Sequence, residues 1–319
     1  MPSFPEARPF LPIDLPLVRR LTPHGVSLDS LTSLTRGINT IEGAFWGAVP
    51  LTDLGTPTFV LKDGDNGYVA QFRHKGNDQH AHIVFIAPDL DKCEGDDPWL
   101  HLLDAMVVAA GKRGAVTLNA EVGDTSAAFT VLRQAGFAVY ARQEIWKREP
   151  GGTLRTMSTG LVRPETESDA FGINSLYANV VPPLVLQADA PPVTGHGGLV
   201  YERDGKILAY LSVQEGKCGV YIQSFLHAEG LDQAERILAA CMANLSRAER
   251  VPVYFCVRSY QDWWRRSLNA LGFESWASQA VMVKHTASRI GLASKSGYKL
   301  DGAARIVPPI IDCDGRKAS

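Results

Sequence analysis

The 319-residue sequence has no run of apolar residues approaching the roughly 18 in succession that a membrane-spanning helix requires. No such helix and no membrane partner are therefore expected. Cysteine is scarce: Cys93, Cys218, Cys241, Cys256 and Cys313 are odd in number, widely spaced and without a C-x-x-C pair. Neither a disulfide framework nor a zinc knuckle is supported, and reduced thiols fit a cytoplasmic protein. The N-terminal stretch carries Pro2, Pro5, Pro9, Pro12 and Pro16, and the pair Arg19-Arg20 is followed by no apolar core, so no export signal is expected. Charge of one sign is also missing. With 32 basic residues against 34 acidic ones the formal charge is −2, and the basic residues are scattered. Such a surface has no field for gathering polyphosphates, and nucleic acid is not an expected partner.

What is present is an ordinary globular composition, 45% hydrophobic and 21% charged, in a chain long enough for two average cores. Periodicity predicts a strand over 81–87, then a helix over 99–110 on Leu102, Leu103, Met106 and Ala110. A strand over 115–120, a helix over 126–135 stopped by Gly136 and a strand over 138–146 follow. The same order recurs as strand 219–225, helix 231–245, strand 251–257, helix 262–271 stopped by Gly272, and strand 275–283. An offset of 136 superimposes Val84 on Val220, Leu102 on Leu238, Met106 on Met242, Leu132 on Leu268, Gly136-Phe137 on Gly272-Phe273 and Gln143 on Gln279. Hairpins are expected upstream of each copy, over 59–72 around Asp63-Gly64-Asp65-Asn66-Gly67 and over 199–213 around Asp204-Gly205-Lys206. Linker composition at Glu149-Pro150-Gly151-Gly152-Thr153 places the boundary near residue 152. The expected domains are 1–152 and 153–285, with a tail over 286–319 that is extended or partly disordered.

On these residues the chain resembles the GNAT superfamily of acetyl-CoA-dependent N-acetyltransferases over roughly residues 10–285. In the second copy the resemblance is carried by Val162-Arg163-Pro164 before an acidic helix start at Asp169, by Val220-Tyr221-Ile222-Gln223-Ser224-Phe225, by Ala234, Leu238 and Met242, and by Leu268-x-x-Leu271-Gly272-Phe273. In the first it is carried by residues 83–87 and 102–108 and by Ala127-Ala128-Phe129-x-x-Leu132-x-x-Ala135-Gly136-Phe137. The fold it implies is α/β: two tandem GNAT-like domains, each a mixed, mostly antiparallel sheet flanked by helices. It implies acetyl-CoA or another acyl-CoA as cosubstrate and a small-molecule or peptide amine as acceptor. A monomer or homodimer is expected.

In that family the cofactor pyrophosphate rests on backbone N–H groups of a Gly-rich loop opening the helix after the fourth strand. The first-copy loop, 88–97, sets Asp89, Asp91, Glu94, Asp96 and Asp97 against Lys92 with Gly95 as its one glycine, and should repel a diphosphate. The second-copy loop keeps Gly230 beside His227 and Glu229. The resemblance therefore places the pyrophosphate near Ala228, Glu229, Gly230 and Leu231, and the pantetheine beside Gln223, Ser224 and Phe225. The family's general acid is a tyrosine four residues before the Gly of Gly-Phe, where this chain has Leu132 and Leu268. Tyr260 is the candidate substitute, with a packing role as the plain alternative. Glu202, Glu215 and His227 are candidate general bases or solvated surface groups.

Three further signals have bland readings. His80-x-His82 lacks a third ligand at a recognisable spacing, so no metal is expected. The acidic turn at 63–67 has His74 where a calcium loop needs glutamate, and reads as a hairpin turn. Of Trp263 and Trp264, adjacent on a helix, one should pack inward and the other cap a groove. Two functions follow: an acyl-CoA-dependent N-acyltransferase using the C-terminal domain, or a catalytically inactive GNAT-like binding or scaffold protein.

Overall fold

The computed structural model describes residues 6–37 and 56–286, apart from 65, 77, 93, 94, 152–158 and 196. The expected boundary near residue 152, the tail after Thr286, and Cys93, Glu94 and Cys313 lie outside the described residues. The first copy supplies β1 (Arg8–Pro9), α1 (Leu15–Leu21), β2 (Val26–Ser27), α2 (Ser30–Arg36), β3 (Thr58–Asp63), β4 (Asn66–Arg73), β5 (His80–Ala87), α3 (Asp97–Lys112), β6 (Thr117–Gly123), α4 (Ala127–Gln134) and β7 (Ala138–Arg148). The second supplies β8 (Arg163–Pro164), α5 (Ala170–Val180), α6 (Pro183–Ala188), β9 (Leu199–Arg203), β10 (Lys206–Glu215), β11 (Val220–Leu226), α7 (Ala234–Asn244), β12 (Val253–Arg258), α8 (Trp264–Ala270) and β13 (Glu274–His285).

Local chemistry accounts for these elements. Helix α3 opens on Pro98, whose missing N–H is no loss in the first turn, and buries Trp99, Leu102, Leu103, Met106, Val107 and Ala110 along one face. Helix α4 is capped by Ser126, whose side chain accepts the Phe129 N–H. Both short helices end on a left-handed glycine, Gly136 at φ 83° and Gly272 at φ 77°. The next N–H then turns back onto the helix: Phe137 donates to the Leu132 carbonyl at 2.9 Å and Phe273 to the Leu268 carbonyl at 3.0 Å. Both phenylalanines are buried, as expected of core aromatics placed just past a glycine stop.

All the described strands join one sheet in the order β1-β3-β4-β5-β6-β13-β7-β12-β11-β10-β9-β8, with β2 attached to β5. Within it β5–β6 and β11–β12 are parallel and the other described pairs antiparallel. The last strands are exchanged: β7 of the first copy lies against β12 of the second, and β13 of the second against β6 of the first. Each core therefore borrows from the other copy. Ala280 and Met282 complete the first core, around Phe72, Trp99 and Leu102. Trp146 joins the second, around Phe255, Trp264 and Phe273.

At the centre Gln143 pairs in register with Gln279, and its Nε2 donates to Gln279 Oε1 at 2.8 Å. Gln143 and Gln279, equivalent by the 136 offset, are thus the one such pair in register at the centre of the antiparallel β7–β13 seam. The offset does not hold through the fourth strand. His80 is opposite Thr117 and Val220 opposite Val253, so the counterpart of Val220 is His80 and not Val84. The first copy is longer by four residues between β5 and α3, which the alternation of an apolar strand conceals because a shift by an even number keeps its faces. A second repeat lies outside the offset: Arg8 and Asp14 form the same two-pronged ion pair as Arg163 and Asp169.

Candidate active site

Parallel pairing is brief in both copies. It joins His80–His82 to Thr117–Asn119 and Val220–Gln223 to Val253–Cys256, and beyond those residues each pair diverges into a wedge. The first wedge is filled by main chain. Strand β2 pairs with β5, the Leu28 N–H donates to the Val84 carbonyl at 3.3 Å, and the Leu28 carbonyl accepts from the Glu121 N–H at 2.8 Å. Gly25 makes the approach possible, since a Cβ there would fall 2.1 Å from Phe85 Cζ. The second wedge is spanned by one side chain: Gln261 Nε2 donates to the Ser224 carbonyl at 2.6 Å, and its Oε1 accepts the Arg258 N–H at 3.1 Å.

The second wedge opens on a cavity of about 200 Å³ between the copies. Crossed helices help to enclose it. Helix α2 reaches the second copy, where the Cys218 N–H donates to the Thr35 carbonyl at 2.9 Å, and the end of α6 reaches the first, where Asn119 Nδ2 donates to the Ala188 carbonyl at 2.7 Å. The first copy lines the cavity with Asp29, Arg73, His82 and Glu121; the second contributes Tyr177, Asp189, Gln223, Ser224, Phe225, Cys256, Arg258 and Tyr260.

Two ion pairs organise this lining. Arg73 meets Asp29 at 3.2 Å, and Arg258 Nη2 meets Asp189 Oδ2 at 2.7 Å while the Tyr140 hydroxyl donates to Asp189 Oδ1. Burial pushes the Asp29 carboxyl up, but Arg73 beside it and the hydrogen bond from the Thr32 hydroxyl pull it further down, and it stays ionised. Glu121 is the reverse case: burial and the neighbouring Asp29 hold its carboxyl above the usual range, although its Oε2 accepts the Ser30 N–H at 2.9 Å. Burial, with Arg73 beside it, holds His82 below its usual value, so it is neutral at pH 7. Burial pushes the Cys256 thiol up to about 11 and the Tyr260 phenol up to about 12. Both keep their protons at neutral pH, so the site offers a phenol donor and no thiolate.

Of the residues expected from sequence, Gln223, Ser224, Phe225 and Tyr260 line the cavity. Glu202 is instead on β9, where its Oε2 accepts from Arg163 Nη2 at 2.7 Å. Glu215 caps Ser246 at 2.7 Å. The loop residues Ala228, Glu229, Gly230 and Leu231 begin a 3-10 turn, Ala228–Gln233, ahead of α7. Within it the Gly230 N–H donates to the His227 carbonyl at 2.9 Å and the Glu229 N–H to His227 Nδ1 at 3.3 Å. Glu229 pairs with Lys206 at 2.9 Å, and Arg203 Nη2 donates to the Glu229 carbonyl at 2.6 Å. Gly230 is buried, and a Cβ there would lie 2.9 Å from Leu226 Cδ1. Trp264 packs inside and Trp263 is exposed. His80 Nδ1 meets Thr117 Oγ1 at 2.8 Å, and no cluster of three metal-binding side chains occurs among the described residues.

Sequence reasoning missed Asp29, Arg73, Glu121, Asp189 and Arg258. None belongs to a local motif, and the packing of the two copies against each other brings them into one cavity.

Comparison with solved structures bears directly on this architecture. A GCN5-related N-acetyltransferase from Sphaerobacter thermophilus matches over 90% of this chain and 97% of its own, with a TM-score of 0.53 at 13% identity. A tandem GNAT protein from the clavulanic acid biosynthesis pathway matches over 88% of this chain and 98% of its own, with a TM-score of 0.50 at 14% identity. The fold is that of a tandem GNAT. At these identities the GNAT likeness extends to the fold alone. No protein-family model and no curated protein matches the sequence. Among the described residues no helix of this GNAT fold is long and apolar enough to cross a membrane.

Proposed function

We propose that this chain is an acyl-CoA-dependent N-acyltransferase whose second copy, residues 153–285, holds the cofactor, while the first, residues 1–152, is structural at its own wedge. The observation that carries this reading is the contrast between the wedges. The first is occupied by main chain through Leu28, while the second is bridged by the Gln261 side chain and leads into a polar cavity. A bound acyl-CoA would supply the thioester. Gln223, Ser224 and Phe225 would flank the pantetheine, and the Ala228–Leu231 turn with Lys206 and Arg203 would receive the pyrophosphate. Tyr260 lines the cavity and is protonated at neutral pH, and on this reading it would give its hydroxyl proton to the leaving thiolate. Glu121 is the better-placed proton acceptor for an amine in the cavity; Glu202 and His227 lie outside its lining.

The second reading, a non-catalytic binding protein, is favoured by Leu132 and Leu268, buried aliphatic residues where the family has its tyrosine acid. Thermal shift with acetyl-CoA and longer acyl-CoAs on the full chain separates the two, because a ligand of the native state raises the melting temperature. Reversing Lys206→Glu and Arg203→Glu together should abolish the shift. Gly230→Val should as well, but it crowds Leu226. Gly95→Val in the acidic first loop should preserve it. No shift with any acyl-CoA at millimolar concentration would leave the binding-protein reading.

A further inference from the structure

One hydrogen-bonded chain joins two walls of the cavity through the β7–β13 seam. Cys256, in the cavity lining, donates its S–H to Gln143 Oε1 at 3.3 Å. Gln143 Nε2 donates to Gln279 Oε1 at 2.8 Å, and the Ser30 hydroxyl donates to the same oxygen at 3.0 Å. The Ser30 N–H donates in turn to Glu121 Oε2 at 2.9 Å, and Glu121 is again in the lining. The chain crosses between the copies: Cys256 and Gln279 belong to the second, and Gln143, Ser30 and Glu121 to the first.

Packing alone does not call for amides here. Gln143 follows Ala141 and precedes Ile145 on its sheet face, and Gln279 stands between Ala277 and Val281, all four in apolar clusters. Gln143 and Ser30 are buried, where polar groups cost free energy unless bonded, and two apolar side chains would fill the seam without that condition. Gln279 Oε1 is the junction, since this one oxygen of the second copy receives two donors from the first.

We propose that Gln279 is a positioning residue for Glu121: its Oε1 fixes the Ser30 hydroxyl, and with it the Ser30 N–H that holds the Glu121 carboxyl at the cavity wall. Gln143 fixes the Gln279 amide in turn. The second copy thereby sets, through its last strand, the carboxyl that the first copy contributes to the cavity. The consequence for an acceptor amine rests on the acyltransferase reading, in which Glu121 takes the proton.

The test follows the Glu121 carboxyl across pH by 13C NMR of the full chain, its signal assigned as the one lost in Glu121→Gln. The charged and titratable groups that act on Glu121 are Asp29, Arg258, Tyr140, Tyr221 and Cys256, and none is replaced by a change at Gln279 or Ser30. A hydrogen bond to the charged form holds a carboxyl down, so Gln279→Met and Ser30→Ala should each raise the Glu121 midpoint by about half a pH unit or more. Both cut one chain, so the double variant should shift no further than either alone. Ser30→Thr, which keeps a hydroxyl, should restore the midpoint. A seam that serves packing alone would lower the melting temperature in these variants and leave the midpoint in place, and that result overturns the proposal. Shifts that add in the double variant overturn it as well. If Gln279→Met does not fold, Ser30→Ala against Ser30→Thr decides in the same way. The titration needs no acyl-CoA: absence of an acyl-CoA thermal shift removes the transferase reading, whereas an unmoved Glu121 midpoint removes the positioning role.

Discussion

At the scale of single residues, burial and charge pairing set the largest effects. Phe137 and Phe273 are buried just past their glycine stops, so Phe137→Ala or Phe273→Ala should each cost about 3–5 kcal/mol in chemical denaturation. The duplicated Arg–Asp pairs give a defined acid response. The hydrogen bond from Arg8 holds the Asp14 carboxyl down at about 2, and Arg163 holds Asp169 down in the same way. A carboxyl depressed on folding stabilises the native state above its unfolded value and loses that contribution as pH falls through the folded one. The melting temperature should therefore drop between about pH 4 and pH 2, and Asp14→Asn should flatten that drop. Glu121 has the opposite sign. Its carboxyl is raised by burial, so stability should decline as pH rises through the raised value, and Glu121→Gln should remove the decline.

At the scale of elements, the two wedges are built from the same pair of parallel strands and closed by different means. A stretch of main chain bonded to both β5 and β6 fills the first, which needs a glycine at residue 25. In the second the Gln261 amide substitutes for that main chain, serving one donor and one acceptor. Gln261→Ala would leave the Arg258 N–H and the Ser224 carbonyl unpaired. The loss should be about 1–3 kcal/mol, read by denaturation, with faster amide exchange at Arg258.

At the scale of the whole molecule, strand exchange makes each copy depend on the other. Residues Met1–Ser288 form one compact unit, and within it β7 and β13 sit between strands of opposite copies. Fragments cut near residue 152 should therefore each lack a strand needed to cover their cores. Expressed separately, 1–152 and 153–319 should show no cooperative melt; co-expressed, they should co-elute and melt together. Two separate cooperative transitions would show that each copy closes on its own.

Periodicity and stop signals in the sequence determined the repeated elements. Leu102, Met106, Gly136 and Phe137 have buried or left-handed counterparts in Leu238, Met242, Gly272 and Phe273, because helical spacing and a C-terminal glycine are local properties. Those residues also carried the resemblance to the tandem GNAT fold. The register of the fourth strand was not legible, since an apolar strand looks the same after a four-residue shift. Nor was the cavity. Asp29, Glu121, Asp189 and Arg258 belong to no local motif, and the packing of the two copies against each other brings them into one cavity. Long-range pairing is decided by which edges and faces must be covered, a condition that exists once the chain has folded back on itself and that no local pattern encodes.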